Sequence, residues 1–333
     1  MAQYRSLVVS TTPATSNDRQ PTLRLRRPVG STAGLALLLL ALFLAAGEAL
    51  ARTPAAQARL ATQDWGTNHR QFEFQMDRLT KAAATFGPPE CLVLGNSMVW
   101  RGLDPAMLAT SFGRQTGRSL RCFNFGVDGL PAAAAGTLAQ ILVEEFRPRL
   151  LIYGTDARDY AVPRSDEATR AILDSSWIRY RRGEFSVTGW LVEHSALYRA
   201  LEPLGNLLRF DFRRGIHNWR GQAQALSNGY DPDPTVGDYV QERPVPGSSR
   251  HVDYYFSLLG DYHLRPENLD GLQQILAQEK RGVEVIVVEM PVPPTYLDFF
   301  GRGESDYQRF LGQISALAAA EGASFLASTR RWT

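Results

Sequence analysis

Five short apolar segments, separated by helical patterns and glycine-containing turns, constrain the fold of this 333-residue chain more than any other feature. The predicted strands cover residues 91–94, 120–125, 150–153, 283–288 and 323–326. Helical periodicity separates the first three strands from one another and also precedes each of the last two. Such an alternation of strand and helix is typical of a parallel doubly wound sheet, so we predict an α/β fold of the three-layer, flavodoxin-like type.

A long insertion separates the third predicted strand from the fourth. Residues 157–262 lose the alternation, and their composition predicts a mostly helical and loop segment. An insertion of this length at the carboxyl edge of a sheet is expected to form a lid or a substrate-binding cap. Within it, Trp190, His194, Leu197 and Leu201 follow helical spacing, which predicts a packed apolar stripe and makes His194 a core histidine rather than a catalytic base.

The amino-terminal part of the chain predicts a membrane anchor. Residues 33–50 are apolar except for Glu48, and they follow a basic tail over residues 1–32 that we expect to be disordered and cytoplasmic. The rest of the chain would then be extracytoplasmic, either periplasmic or extracellular. A cleaved signal that ends at Ala51 and a buried helix are the alternatives. Residues 55–86 predict a juxtamembrane helix, and residues 90–333 form the main domain.

Composition excludes several classes of function. The net charge is +2, and because residues 1–32 contain five arginines and one aspartate, the remainder carries a small negative charge. This distribution gives no electrostatic reason to expect nucleic-acid binding. Cys91 and Cys122 are interpreted as unbridged, since parallel neighbouring strands rarely allow disulfide geometry. The chain has no Gly-x-Gly-x-x-Gly motif and no phosphate-loop lysine, which disfavours a doubly wound protein that binds a phosphorylated ligand. No cofactor or metal is expected.

Ser97 is the first candidate functional residue. It follows the first strand after Gly95, which permits a tight turn, and Asp104-Pro105 starts the next helix. Ser97 is therefore expected at the carboxyl end of a strand, where open α/β sheets bind ligands. A serine in this place is a nucleophile if a base reaches it, and otherwise it only shapes the loop.

Three motifs after successive strands resemble the SGNH, or GDSL-like, hydrolase superfamily. Gly95-Asn-Ser97 resembles the first block, whose serine is the nucleophile. Asn124-Phe-Gly-Val-Asp-Gly129 resembles the second block, whose oxyanion-binding glycine matches Gly129. Gly154-Thr-Asp156 resembles the third block, and its oxyanion-binding asparagine falls on Thr155. The likeness covers about residues 90–160 and 263–328, and it is nearest to bacterial membrane-anchored members related to polysaccharide O-acetylation proteins.

The resemblance implies a strand order of 2-1-3-4-5 and an acyl-serine mechanism. Ser97 would attack an ester carbonyl, and Gly129 and Thr155 would bind the oxyanion. Asn96, Asp156 and Arg158 are the candidate substrate-binding residues. For Asp156, Arg158 and the neighbouring Asp159, a polar wall of the pocket and a salt-bridged loop are the two alternatives. The implied substrates are acyl esters or an exported glycan, and a protein partner in a membrane acylation complex is also implied.

The resemblance is incomplete in two respects. Threonine stands at position 155, where the family has asparagine. The last block of the family, Asp-x-x-His, has no counterpart before Thr333, and Asp261-Tyr-His263 is its nearest imitation. We therefore expect the sequence to be truncated and the chain to be a weak or inactive esterase or O-acyltransferase. A non-catalytic glycan-binding or scaffold subunit is the alternative.

Overall fold

The five strands form one parallel sheet in the order β2-β1-β3-β4-β5, which confirms the predicted topology. The computed structural model describes residues 29–59, 63–201, 228–231 and 244–328. The strands are β1 (Cys91–Gly95), β2 (Cys122–Gly126), β3 (Leu150–Thr155), β4 (Glu284–Glu289) and β5 (Ser324–Leu326). Each boundary lies within two residues of its prediction, because the apolar runs that define the strands are short and end at glycines or polar residues.

Alternate side chains of the strands point to opposite faces of the sheet, and both faces are covered by helices. Leu92, Leu94, Phe125 and Tyr153 are fully buried on the face that contains the larger hydrophobic core. The helices that supply this core are α3 (Arg70–Phe86), α6 (Ala132–Phe146), α12 (Pro266–Leu276) and α13 (Glu304–Glu321).

The opposite face has a smaller core under α4 (Ser97–Gly102) and α5 (Pro105–Thr116). Cys91, Val93 and Ile152 on the strands meet Val99 and Met290 there. Cys91 lies directly opposite Cys122 in the β1–β2 register, and both are free thiols, as expected. The helices that connect β1 to β2 (α4 and α5) and the helix that connects β2 to β3 (α6) therefore lie on opposite faces of the sheet, as a doubly wound sheet requires.

The amino-terminal helix α1 (Val29–Ala51) is apolar over most of its length. Its residues Thr32–Ala51 form a 20-residue segment that is long and apolar enough to cross a membrane. The chain divides into two units at this helix, residues 1–46 and residues 47–333. The helix is therefore a candidate for the predicted membrane segment by length and composition, while residues 1–28 lie outside the described residues.

The predicted juxtamembrane helix over residues 55–86 is two helices rather than one. α2 (Pro54–Arg59) and α3 are separated by an irregular segment that includes Gly66, whose φ is 73°. The carboxylate of Glu73 stabilises this segment by accepting hydrogen bonds from the amides of Trp65 and Thr67 and from the Thr67 hydroxyl. A buried side chain that satisfies an irregular backbone is not visible in apolar periodicity, which explains the error.

The insertion is helical in the part that the structure describes. It contains α7 (Arg158–Ala161), α8 (Glu167–Leu173), α9 (Ser176–Arg181), α10 (Val187–His194), a helical segment over 196–201 and α11 (Arg250–Leu259). The predicted apolar stripe is interrupted at Ser195, which ends α10. The prediction that His194 is a core residue is wrong, because its side chain is exposed and contacts the Tyr180 hydroxyl at 3.1 Å. Residues 202–227 and 232–243, including most of the predicted loop over 221–250, lie outside the described residues.

Helices α6 and α12 approach so closely that their contact requires glycine. A Cβ atom on Gly271 would lie 2.2 Å from the carbonyl oxygen of Ala132, and one on Gly136 would lie 2.4 Å from the carbonyl oxygen of Gly271. Both contacts are with backbone atoms, so a side chain at either position forces the two helices apart.

We predict opposite effects for two glycine-to-alanine substitutions in helices of the main domain. Gly271→Ala should lower the free energy of unfolding by about 1–3 kcal/mol, because it overpacks a backbone contact. Gly312→Ala, in α13, has open space around the new methyl group and should raise it by about 0.5–1 kcal/mol. Thermal unfolding of the two purified variants measures both effects. Equal melting temperatures would contradict the packing at the α6–α12 contact.

Candidate active site

Three glycines in register form a flat surface at the carboxyl ends of β1, β2 and β3. Gly95 pairs with Gly126 on one side and with Gly154 on the other. Helix α4 rests on this surface: a Cβ atom on Gly126 would lie 2.4 Å from the backbone nitrogen of Trp100, and one on Gly95 or Gly154 would lie 2.4 Å from the Val99 side chain. The three glycines therefore fix where the helix that begins with Ser97 lies on the sheet.

Ser97 is the first residue of α4, and its side chain is partly exposed. Asn96 is the N-cap of the helix, and its side-chain oxygen accepts a hydrogen bond from the amide of Met98 at 2.8 Å. Among the described residues, neither the Ser97 hydroxyl nor the Ser97 amide has a hydrogen-bond partner. The serine is therefore held by the backbone of α4 and by its neighbour, and its own polar groups are available to a ligand.

A buried carboxylate joins the loops that follow β1 and β3. Asp159 accepts hydrogen bonds from the Asn96 amide group at 2.9 and 3.1 Å and from the Thr155 hydroxyl at 3.1 Å. It also accepts one from the Asp156 amide at 3.3 Å, while Asp156 accepts one from the Asp159 amide at 3.3 Å. Asn96, Thr155, Asp156 and Asp159 are all buried. This network holds the loop of Ser97 against the end of β3.

Arg158 connects the same network to the loop that follows β2. Its guanidinium lies 3.5 Å from Asp159 and donates to the Tyr254 hydroxyl at 3.4 Å. A Cβ atom on Gly129 would lie 3.7 Å from the guanidinium, so Gly129 and Arg158 are neighbours. Tyr254, on α11 of the insertion, donates in turn to Asp166. Asp159 and Arg158 therefore join the loops after β1 and β3 to one helix of the insertion, and the guanidinium lies beside the loop after β2.

Burial governs the protonation of this cluster. It raises the pKa of Asp159 to about 8, and the negative charge of Asp156 adds to the shift. Burial also raises the pKa of Asp156. Burial alone would lower the pKa of Arg158, but the combined attraction of its neighbours, chiefly Asp159, outweighs it and raises that pKa. Two carboxyls and one guanidinium in a dry environment are best neutralised by one shared proton, so the pair titrates as a unit.

Helix α3 holds the loop that contains Asp128 and Gly129. The His69 Nε2 atom lies 3.0 Å from the Asp128 carbonyl oxygen, and Gln71 accepts a hydrogen bond from the Asp128 amide. Gln75 donates to the carbonyl oxygen of Gly126 at 3.0 Å. Gly129 itself has φ near 70°, in the left-handed region that favours glycine. Its amide has no hydrogen-bond partner among the described residues.

None of the four histidines that the structure describes is placed to act as a base for Ser97. The His69 Nδ1 atom accepts a hydrogen bond from the Phe72 amide, so its proton lies on Nε2 and is donated to the Asp128 carbonyl. Burial lowers the pKa of His69, which keeps the ring neutral. His194, His251 and His263 are exposed, and none of them hydrogen-bonds Ser97. The fifth histidine, His217, lies outside the described residues.

The sequence-predicted residues therefore differ in how they are placed. Ser97 and Gly129 are partly accessible at the ends of β1 and β2. Asn96, Asp156 and Arg158, predicted to bind substrate, are buried and hydrogen-bonded to one another or to Asp159. The sequence singled out Asp159 only as part of a polar wall or a salt-bridged loop, and the support from His69, Gln71 and Gln75 was missed. The only sequence signal for Asp159 was its position three residues after Asp156, which places both at one turn of a helix.

Comparisons with known proteins add little to this description. No family model matches the chain, and no curated protein matches it. A solved structure described as "Crystal Structure of TesA" aligns with 71% of this chain and 76% of its own, at 14% identity and a TM-score of 0.33. A likeness of this size defines neither a family nor an activity, and the sheet topology alone establishes the fold class.

The protonated carboxyl pair predicts a pH dependence of stability with a defined sign. An unfolded aspartate ionises near pH 4, whereas Asp159 in the folded chain ionises near pH 8. Between these values the folded state retains a proton that the unfolded state releases. The contribution of this pair to the free energy of unfolding therefore falls as the pH rises, by up to about 1.4 kcal/mol per pH unit. Asp156→Asn removes the neighbouring negative charge and should reduce this slope. The difference between wild-type and variant melting temperatures from pH 5 to pH 8 isolates the pair from other titrating groups.

Asp174→Asn is the matched control, because Asp174 is exposed and pairs with Arg164 at the surface. It should leave the wild-type slope unchanged. Parallel pH dependences of the melting temperature for the wild-type protein and the Asp156→Asn variant would show that the charge of Asp156 does not contribute to the raised pKa of Asp159.

Proposed function

We propose that the chain carries an acyl-serine site of the SGNH-like esterase or O-acyltransferase type, with Ser97 as the nucleophile. The observation that supports this most directly is the position of Ser97. It lies at the carboxyl end of β1, begins a helix seated on three in-register glycines, and has a hydroxyl without a partner among the described residues. A nucleophile must be fixed in position and free to react, and this arrangement meets both requirements.

The oxyanion of the tetrahedral intermediate would be bound by the amides of Ser97 and Gly129. The Ser97 amide begins α4 directly after β1, and the Gly129 amide lies in the loop after the adjacent strand β2. Neither amide has a hydrogen-bond partner among the described residues. Thr155 was the third expected donor, but it is fully buried and its hydroxyl donates a hydrogen bond to Asp159. We therefore assign Thr155 to positioning the network and leave oxyanion binding to the two amides, which is the commoner chemistry for such a site.

Turnover requires a base that removes the proton of the Ser97 hydroxyl. Among the described residues, no histidine hydrogen-bonds Ser97, and His69 has both ring nitrogens engaged elsewhere. Loss of the base of a serine hydrolase costs about a million-fold in turnover and leaves about 10³–10⁴ over water. We propose slow ester turnover for this chain. His217 is the remaining histidine to test.

We propose acetyl groups on an exported glycan as the substrate class, with a protein partner in a membrane acylation complex. The support is the sequence resemblance together with the membrane-type helix α1. The alternative is a non-catalytic glycan-binding or scaffold subunit. It is favoured by the same observation on the histidines and by the burial of Asn96, Asp156 and Arg158, which bind one another instead of facing solvent.

Acetylation by p-nitrophenyl acetate tests the nucleophile without requiring turnover. Without a base both acylation and deacylation are slow, so a long incubation with excess reagent should transfer an acetyl group to Ser97 that is then retained long enough for mass spectrometry of the digested protein. We expect the acetyl group on Ser97 and its loss in the Ser97→Ala variant. His217→Asn should leave the yield unchanged if no histidine of the chain acts as the base.

Ser111 is the matched control within the same digest, since it is an exposed serine on α5. Equal acetylation of Ser97 and Ser111 would mean that Ser97 has no special reactivity. Absence of acetyl-Ser97, combined with glycan binding by the intact protein, would favour the scaffold alternative.

We also propose that the main domain is extracytoplasmic. The support is the basic tail before the apolar helix, since basic flanks remain in the cytoplasm. An alkaline phosphatase fused after the last residue of the chain should be active, and a cytoplasmic reporter fused at the same place should be inactive. The reverse pattern would place the domain in the cytoplasm.

A further inference from the structure

We propose that an exposed apolar patch on the insertion lies in the surface of the lipid bilayer beside the membrane helix. The patch consists of Phe185, Val187 and Trp190, whose exposed fractions are 75%, 66% and 44%. Phe185 lies just before α10 and the other two lie on it, and Trp190 belongs to the apolar stripe that the sequence predicted to be packed. The proposal rests on the proposed membrane anchoring of α1 and assigns the domain a second contact with the same membrane.

The end of the membrane segment is bound to the end of α10. Glu48 accepts hydrogen bonds from the Ser195 hydroxyl at 2.7 Å, from the Ala196 amide at 2.9 Å and from the Leu197 amide at 3.1 Å. These amides begin the helical segment over 196–201, so Glu48 caps its amino terminus. Arg52 pairs with Glu48 at 2.7 Å and donates to the His194 carbonyl oxygen at 2.6 Å.

The junction lies close to Val187 and Trp190 along α10. Glu48 is inside the candidate span Thr32–Ala51, and its partner Ser195 directly follows α10. At a rise of about 1.5 Å per residue, Trp190 and Val187 lie within about 12 Å of Ser195 along α10. Trp190 and Val187 are therefore close, along the chain, to the residue that binds the end of the candidate span, which is the placement that the proposal requires.

The chemistry of the patch and its surroundings fits a lipid surface. Trp190 lies next to His194, and Tyr180 lies next to Phe185, with ring centroids 5.4 and 6.4 Å apart. Tryptophan and tyrosine are enriched where a membrane meets water, because their rings are apolar and their polar atoms reach water or headgroups. Arg182, three residues before Phe185, is exposed and suits anionic headgroups. An apolar and aromatic surface with this exposure is costly in water and marks an interaction site.

Photo-crosslinking in a bilayer tests the contact directly. Phe185, Leu40 and Met107 are each replaced, in separate full-length chains, by the photoreactive p-benzoylphenylalanine. The purified chains are reconstituted in nanodiscs of phosphatidylcholine and phosphatidylglycerol, and lipid adducts are measured by mass spectrometry after irradiation. Leu40 is inside the proposed span, and Met107, on α5, is an apolar control that is 70% exposed. We expect lipid adducts at positions 40 and 185, at several-fold the yield found at position 107.

Each other result has a distinct meaning. Adducts at position 40 without adducts at position 185 would overturn the patch while leaving the anchor intact. The absence of adducts at position 40 would overturn the anchor and the patch together. Equal yields at positions 185 and 107 would show only nonspecific contact. Adducts to another protein at position 185 in intact cells, with no lipid adduct in nanodiscs, would assign the surface to a protein partner and overturn the proposal.

Discussion

One buried carboxyl group, that of Asp159, holds the candidate site together by accepting several hydrogen bonds. Asn96 and Thr155 donate to it from the ends of two adjacent strands, and Arg158 carries the connection to Gly129 at the end of a third. Removing one partner from a buried charged network usually costs about 3–5 kcal/mol, because the remaining charge is left without compensation. The loops around Ser97 therefore form one unit, and a change at Asp159 should disturb all of them.

The cost of burying this network explains its protonation. Two carboxyls without solvent cannot both remain charged beside one guanidinium, and burial raises the pKa of both. The cluster is thus closer to neutral than its composition suggests, and Arg158 is committed to Asp159 and Tyr254 rather than to a ligand. An anionic substrate would have to displace a buried ion pair in order to reach it. This argues that Arg158 positions the loop and does not bind substrate.

The sheet was predictable from the sequence because each strand is an apolar run that ends at a glycine or a polar residue, and the position of Ser97 followed from the same pattern. The role of Gly126 was less visible, since a glycine after a strand predicts a turn, whereas here it permits the backbone of Trp100 to approach. The contacts of Gln75 and His69 with the β2 loop were not predictable at all. They join residues more than fifty positions apart, and polar side chains on a helix usually indicate exposure.

The insertion shows why helical periodicity identifies an apolar face without identifying what covers it. Trp190, His194 and Leu197 have the spacing of a core stripe, yet Ser195 and the Glu48 carboxylate divide that stripe into two helical segments. Glu48 is the one charged residue in an otherwise apolar segment, and a carboxylate near the end of a membrane span needs strong donors. Two helix amides and a hydroxyl supply them. The charge that weakens residues 33–50 as a span is therefore the group that binds the insertion, and under the proposal above a bilayer would cover the exposed side chains next to it.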